Sequence, residues 1–325
     1  MSSLGEVKPP GPYGEGGGPG FTPGVGVATI GADSPSAERP LGILFDSGRL
    51  DVDFVLHPTD LSAAAERAFD HALAIAIRHG AQFTLLHPVG RRATDNWPNF
   101  PSVRSKLTRW RRAGTLKGLE RRIRQTSVTK LDVEIRDPVA ASLRYIERHS
   151  VDMIVQATEG RSGLARIIRP STAERLARET KLFTLFIPAH GRGFVDGRTG
   201  EVSLRRIVVP IDAATDPKPA MLRAVHSAAL LENPELEITL LHIGEGEEMH
   251  RTDVPDLPYC RWNAIQRNGP VVEQILRVTD EIDADAIFMS TTWSKSGFGR
   301  SGHDVTEGVL AGAACPVATV PVAAG

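Results

Sequence analysis

Asp53-Phe-Val-Leu-His-Pro-Thr-Asp60 and, in the later part of the chain, Ile207-Val-Val-Pro-Ile-Asp212 have the same design. A short run of apolar and β-branched residues ends at a proline and an aspartate. Such a run reads as a buried parallel strand that feeds a helix. Working outward, the landmarks that follow each strand arrive in the same order. Phe83-Thr-Leu-Leu-His87 is matched by Ile238-Thr-Leu-Leu-His242, and Asp137-Pro-Val-Ala-Ala-Ser-Leu143 by Gly269-Pro-Val-Val-Glu-Gln-Ile275. Val151-Asp-Met-Ile-Val-Gln-Ala157 is matched by Ala284-Asp-Ala-Ile-Phe-Met-Ser290, and Phe183-Thr-Leu-Phe-Ile-Pro-Ala189 by Pro316-Val-Ala-Thr-Val-Pro-Val-Ala323. The chain is therefore a duplication. Each copy alternates strands with helices, for example at Ala63–Ile77, where apolar residues recur at helical spacing. That alternation predicts an α/β fold of two tandem five-stranded parallel-sheet domains, with ligands at the carboxyl ends of the strands.

The predicted organisation is a Gly/Pro-rich disordered tail over residues 1–45, a first domain over 50–190, a linker over 191–203 and a second domain over 204–323. The tail holds too little apolar surface to offset its ordering entropy. The 325 residues are 41% hydrophobic and 24% charged, with a formal net charge of −1. These are the values of an ordinary globular protein, with no global field toward nucleic acid or membrane. Two cysteines, Cys260 and Cys315, make no disulfide framework. Apolar runs such as Leu182–Ala189 are too short to span a bilayer, and no secretory signal is visible, so the expected location is cytoplasmic.

Each half resembles the universal stress protein (UspA) domain, and the whole resembles a tandem universal stress protein. In the first half the resemblance is carried by Pro58–Ala68, Thr84–His87, Asp137–Leu143, Ala157–Arg166 and Pro170–Glu174. In the second it is carried by Val208–Asp212, Thr239–His242, Val271–Leu276 and Cys315–Pro321. It implies a Rossmann-like fold of the adenine nucleotide alpha-hydrolase type. It also implies pairing through last strands, so that the two halves form a pseudo-dimer with each other. Many members bind ATP through G-x2-G-x9-G-[ST] and an aspartate at the end of the first strand. On that pattern Ala157 stands at the first glycine, Gly160 at the second, Pro170 at the third and Ser171 at the hydroxyl, with Asp60 at the adenine aspartate. The implied nucleotide-binding set is Asp60, Ala157, Gly160, Arg161, Ser162, Gly163, Ser171 and Thr172.

Two of the four loop positions depart from the pattern. Pro170 has no N–H to offer a phosphate, and one lost hydrogen bond to a charged group costs about 1.5–3 kcal/mol. Arg161, Arg166 and Arg169 are placed to offset part of this by pairing with phosphate. A competing reading makes Ser171-x-x-Glu174 simply a capping box that starts the next helix. In the second half a gapless alignment puts Ser290 and Trp293 at the first two glycines and His303 and Asp304 at the Gly-Ser pair. A carboxylate at that helix start opposes a phosphate. ATP, if held, is thus expected to be weak and confined to the first domain, with no other cofactor implied.

Other chemistry is less supported. Neither Gly160-Arg-Ser-Gly163 nor Gly299-Arg-Ser-Gly302 is a nucleophile elbow, and no Walker-type loop is present. His242, Glu247, Glu248, His250, Cys260 and His303 lack tight metal-ligand spacing. The basic segment Arg104–Arg124, with its one aromatic Trp110, has two readings: a surface for nucleic acid or an acidic partner, and a solvated helix with Leu107, Trp110, Leu116, Leu119 and Ile123 packed on the sheet, which is favoured because the rest of the chain cancels its charge. The expectation is a small-molecule-binding protein of stress physiology, not an enzyme, with no membrane or nucleic-acid partner. The alternative is an interaction module that binds no nucleotide, and a slow ATPase or ATP-dependent switch ranks below both, because no general base or metal-binding carboxylate cluster for phosphoryl transfer is recognisable.

Overall fold

The computed structural model describes residues 50–89, 97, 100–158, 171–212, 215–231, 235–245, 257, 259–293 and 305–322. Most of the 1–45 segment's neighbours in sequence, the whole of that segment, and the loop from Gly160 to Pro170 lie outside them. The first half runs β1 (Phe54–Pro58), α1 (Ala63–His79), β2 (Gln82–Pro88), α2 (Val103–Ala113), α3 (Glu120–Gln125), β3 (Ser127–Val133), α4 (Pro138–Ile146), β4 (Met153–Thr158), α5 (Thr172–Thr180) and β5 (Phe183–Pro188). The second runs β6 (Arg206–Ile211), α6 (Lys218–Leu230), β7 (Leu236–Ile243), β8 (Cys260–Arg267), α7 (Val271–Glu281), β9 (Ala286–Thr291), α8 (Val305–Gly312) and β10 (Val317–Pro321).

All ten strands form one sheet in the order β3-β2-β1-β4-β5-β10-β9-β6-β7-β8. Neighbours are parallel except β5 and β10, which run antiparallel with Val317 opposite Phe186, Ala318 opposite Leu185 and Thr319 opposite Thr184. The halves thus join edge to edge, and the apolar strands that would otherwise be exposed edges are paired. Helices cover both faces, as a parallel sheet requires. One apolar core spans the joint, from Phe69 and Trp110 to Ile207 and Ala318.

The duplication is visible in detail. Asp152 Oδ2 accepts from the backbone N–H groups of Asp53 and Phe54, each at 2.9 Å, and holds the start of β1. Asp285 does the same for Arg205 and Arg206 at the start of β6, each at 2.8 Å.

Two features go beyond the sequence expectation. The basic segment is two helices and not one. It breaks at Gly114, whose φ of 83° ends α2 in the left-handed region, while Trp110, Leu116, Leu119 and Ile123 still point inward. The connection between the halves is also a docked strap. Phe194 and Val195 are buried, and Val195 bridges Val202. The Nε2 atom of His71 accepts from the N–H groups of Phe194 and Val195, at 3.1 and 3.3 Å, while its Nδ1 lies 2.8 Å from the Arg67 carbonyl it donates to.

Candidate functional site

The carboxyl ends of β1 and β4 face the starts of α1 and α5, so this end of the sheet is where a ligand is to be sought. The β1–α1 turn is built from side chains. Thr59 Oγ1 accepts from the Leu61 N–H at 3.0 Å, and Asp60 Oδ1 accepts from the Ser62 N–H at 2.9 Å. Ser62 then caps α1. These bonds hold Leu61 at φ 60°, unusual for a leucine. Asp60 stays exposed, with its carboxylate at the mouth of the turn.

Ala157 pairs with Ile187 near the end of β4, and Gln156 donates to the Ala173 carbonyl at 2.9 Å, tying β4 to the first turn of α5. Ser171 and Glu174 form the capping box: Ser171 Oγ accepts from the Glu174 N–H at 3.1 Å, and Glu174 Oε2 accepts from the Ser171 N–H at 2.7 Å. The cap uses a lone pair of Ser171, so its hydroxyl hydrogen can still be given to an anion. Thr172 is exposed on the first turn. The structure therefore places Asp60, Ala157, Ser171 and Thr172 at one end of the sheet. Gly160, Arg161, Ser162 and Gly163 lie outside the described residues, as do Arg166, Arg169 and Pro170.

One residue at this end was missed by sequence reasoning. His57, on β1, is fully buried and its Nδ1 lies 2.8 Å from the Val155 carbonyl on β4. Donation to that carbonyl leaves Nε2 as an acceptor, and Nε2 has no hydrogen-bond partner among the described residues. Burial pushes the ring down to about pKa 4, so it is neutral at pH 7. The signal was the polar residue inside an apolar strand. His87, at the end of β2, lies 3.1 Å from Asp132 Oδ1, which also accepts from Trp97 Nε1 at 2.9 Å. Its counterpart His242 instead lies 3.4 Å from the Ile211 carbonyl. The repeated histidines therefore share a position and differ in partner.

The second half is arranged differently at the equivalent place. Asp212 Oδ1 accepts from the Thr215 N–H at 2.7 Å. α6 has no side-chain cap of its own, and Ser290 Oγ, from the end of β9, accepts from the Ala220 N–H at 3.3 Å. Trp293 is buried, has φ 42°, and leaves its Nε1 without a partner. The Arg178 guanidinium crosses from the first half, lies 5.5 Å from the centroid of the Trp293 ring and pairs with Glu307 on α8. A bulky residue thus holds the left-handed backbone that a glycine adopts freely. His303 and Asp304 lie outside the described residues.

A groove of about 740 Å³ lies between α1 and the strap. Its charges are largely committed within the protein. Lys106 Nζ reaches Glu66 at 3.0 Å and Asp70 at 2.7 Å, and Arg67 donates to the Gly191 carbonyl. Among the described residues no group of three His, Cys, Asp or Glu is placed to hold a metal, and no helix is long and apolar enough to cross a membrane.

Residues 53–188 match the model of the universal stress protein family. The chain's fold is similar to that of a universal stress protein from Archaeoglobus fulgidus DSM 4304, with TM-score 0.54 and 17% identity over 83% of this chain and 96% of that one. It is also similar to a putative universal stress protein from Pseudomonas aeruginosa UCBPP-PA14, with TM-score 0.51 and 14% identity over 84% and 94% of the two chains. Both likenesses extend over more than the first half, and at these identities they speak to fold alone. A search of curated proteins finds no match.

Proposed function

We propose, from the match of residues 53–188 to the universal stress protein family, that the chain is a small-molecule-binding protein of stress physiology whose first half holds an adenine nucleotide weakly and whose second half holds none. The observation that carries this reading is the asymmetry of the two strand-end sites. The carboxylates Asp60 and Asp212 are exposed in both, but in the first Ser171 opens α5 with a hydroxyl hydrogen to give. In the second, Trp293, Ser290 and the Arg178–Glu307 pair fill the equivalent space with contacts inside the protein. A phosphate at the start of α5 would meet the positive end of the helix dipole and backbone donors. The missing donor at Pro170 weakens that grip without abolishing it.

The role proposed is binding and not catalysis. Asp60 is tied to the Ser62 N–H and is better suited to orient a base than to activate water. Calorimetric titration of the full chain with ATP tests the reading, together with nucleotide analysis of the acid-extracted protein. Gly160→Asp should remove binding, and Asp304→Ser should not reduce it. Equal loss from both changes means that the site is misplaced.

One observation favours a second reading. Ser171 and Glu174 complete both bonds of a capping box, and helix initiation alone accounts for them. On that reading the chain is an interaction module without a nucleotide, and the unaltered protein takes up no ATP at about 1 mM, a concentration that detects even weak sites.

A further inference from the structure

α2 and α3 carry a concentration of positive charge, most of it without an ion-pair partner among the described residues. Residues 104–124 contain nine Lys or Arg and a single acid, Glu120. Lys106 is buried and spent on Glu66 and Asp70. Arg104, Arg109, Arg111, Arg112, Lys117 and Arg124 are exposed, and none forms an ion pair among the described residues. The near-zero net charge of the whole chain conceals this. Residues 50–189 hold 23 Lys and Arg against 15 Asp and Glu, a net of +8, whereas residues 203–322 hold 10 against 17, a net of −7. The positive charge is thus concentrated in the first half. In the strap, Asp196 is engaged by the N–H groups of Arg198 and Thr199.

We infer that the outer face of α2 and α3 is a docking surface for the phosphate backbone of duplex DNA, held without regard to base sequence. The choice of partner follows from what the face lacks. Protein interfaces are anchored by apolar and aromatic groups at their centre, but the exposed large hydrophobics among the described residues are Val271 and Val305, both in the other half. The same lack argues against insertion into a lipid surface. Single strands are gripped by stacking bases on aromatic rings, and Trp110, the aromatic of this segment, is fully buried. What remains is a face dominated by arginine, whose guanidinium fork suits phosphate. Duplex DNA, with one charge per roughly 1.7 Å of axis, offers it a dense and regular line of phosphates.

The test is fluorescence titration of the full chain into a labelled duplex of mixed sequence, from about 50 to about 200 mM salt. With roughly five phosphate contacts, the log of the binding constant should fall against the log of salt with a slope of about −4.5. The Arg104→Gln/Arg111→Gln/Arg112→Gln variant should reduce that slope to about −2 and weaken binding at least about tenfold. Arg261→Gln, at the opposite edge of the sheet, should change neither, and thermal melts should show that all variants stay folded. Absence of binding at the lowest salt overturns the inference, as does equal weakening by Arg261→Gln. Tighter binding to single-stranded RNA, or full displacement of DNA by polyglutamate of equal charge, assigns the face to another partner and also overturns it.

Discussion

Gly200 shows how tightly single residues constrain this protein. Its φ of 74° lies in the left-handed region, and a Cβ there would run into the Trp110 indole. Gly200→Ala should therefore lower unfolding stability by at least about 2 kcal/mol, through backbone strain and overpacking together; a urea midpoint unchanged from the parent would contradict this. The buried histidines make a second residue-scale prediction. His57 and His71 are pushed down to about pKa 4, and His79 to about 3, each mainly by burial. Between pH 6.5 and these values the unfolded chain binds protons that the folded chain refuses, so stability falls as pH falls through that window. Asp70 opposes the trend, because burial raises it to about 6 and the folded state takes up its proton first. The net loss between pH 7 and pH 5 should be roughly 4 kcal/mol, at about 1.4 kcal/mol per pH unit for each titrating group. Urea unfolding curves at the two pH values measure it, and a flat profile counts against neutral, buried rings.

At the scale of elements, Lys106 on α2 pairs with Asp70 on α1 and also donates to the strap at the Gly197 carbonyl, 3.3 Å away. Lys106→Met removes the cation that meets the Asp70 carboxylate, leaving a buried charge alone, and should cost about 3–5 kcal/mol. Adding Asp70→Leu removes the stranded charge and should recover most of that loss. Chemical denaturation of the single and double variants decides it, and failure of the double variant to recover would show that the strap needs the pair itself. The strands and most helices were legible in the sequence, because parallel strands buried on both faces read as short apolar runs that recur in order. The strap was not, because its hold depends on His71 and Lys106, which are far from it in sequence and look like solvated polar residues until the fold brings them underneath. The break at Gly114 was hidden by continuous basic character on both sides. The positions of Asp60 after a strand and of Ser171 at a helix start were legible in the sequence. His57 was passed over because one histidine in an apolar strand resembles packing, and Arg178 because its partners Trp293 and Glu307 belong to the other half.

At the scale of the whole molecule, one sheet and one apolar core cross the joint between the halves. The chain should therefore unfold as a unit. Variants that keep only Trp110 or only Trp262 place a fluorescent reporter in each half, and both should report the same urea midpoint; two separated transitions would show that the halves are independent. The joint also explains the asymmetry of the two sites, because Arg178 of the first half is used to hold Trp293 and Glu307 of the second. The claim that depends most on this asymmetry is that the first half alone binds adenine nucleotide. Calorimetric titration of the full chain with ATP, repeated for Gly160→Asp and Asp304→Ser, tests it most directly. The account predicts one weak site per chain that Gly160→Asp abolishes and Asp304→Ser leaves intact. Two sites, tight binding that survives Gly160→Asp, or no heat from the unaltered protein at about 1 mM ATP would contradict it.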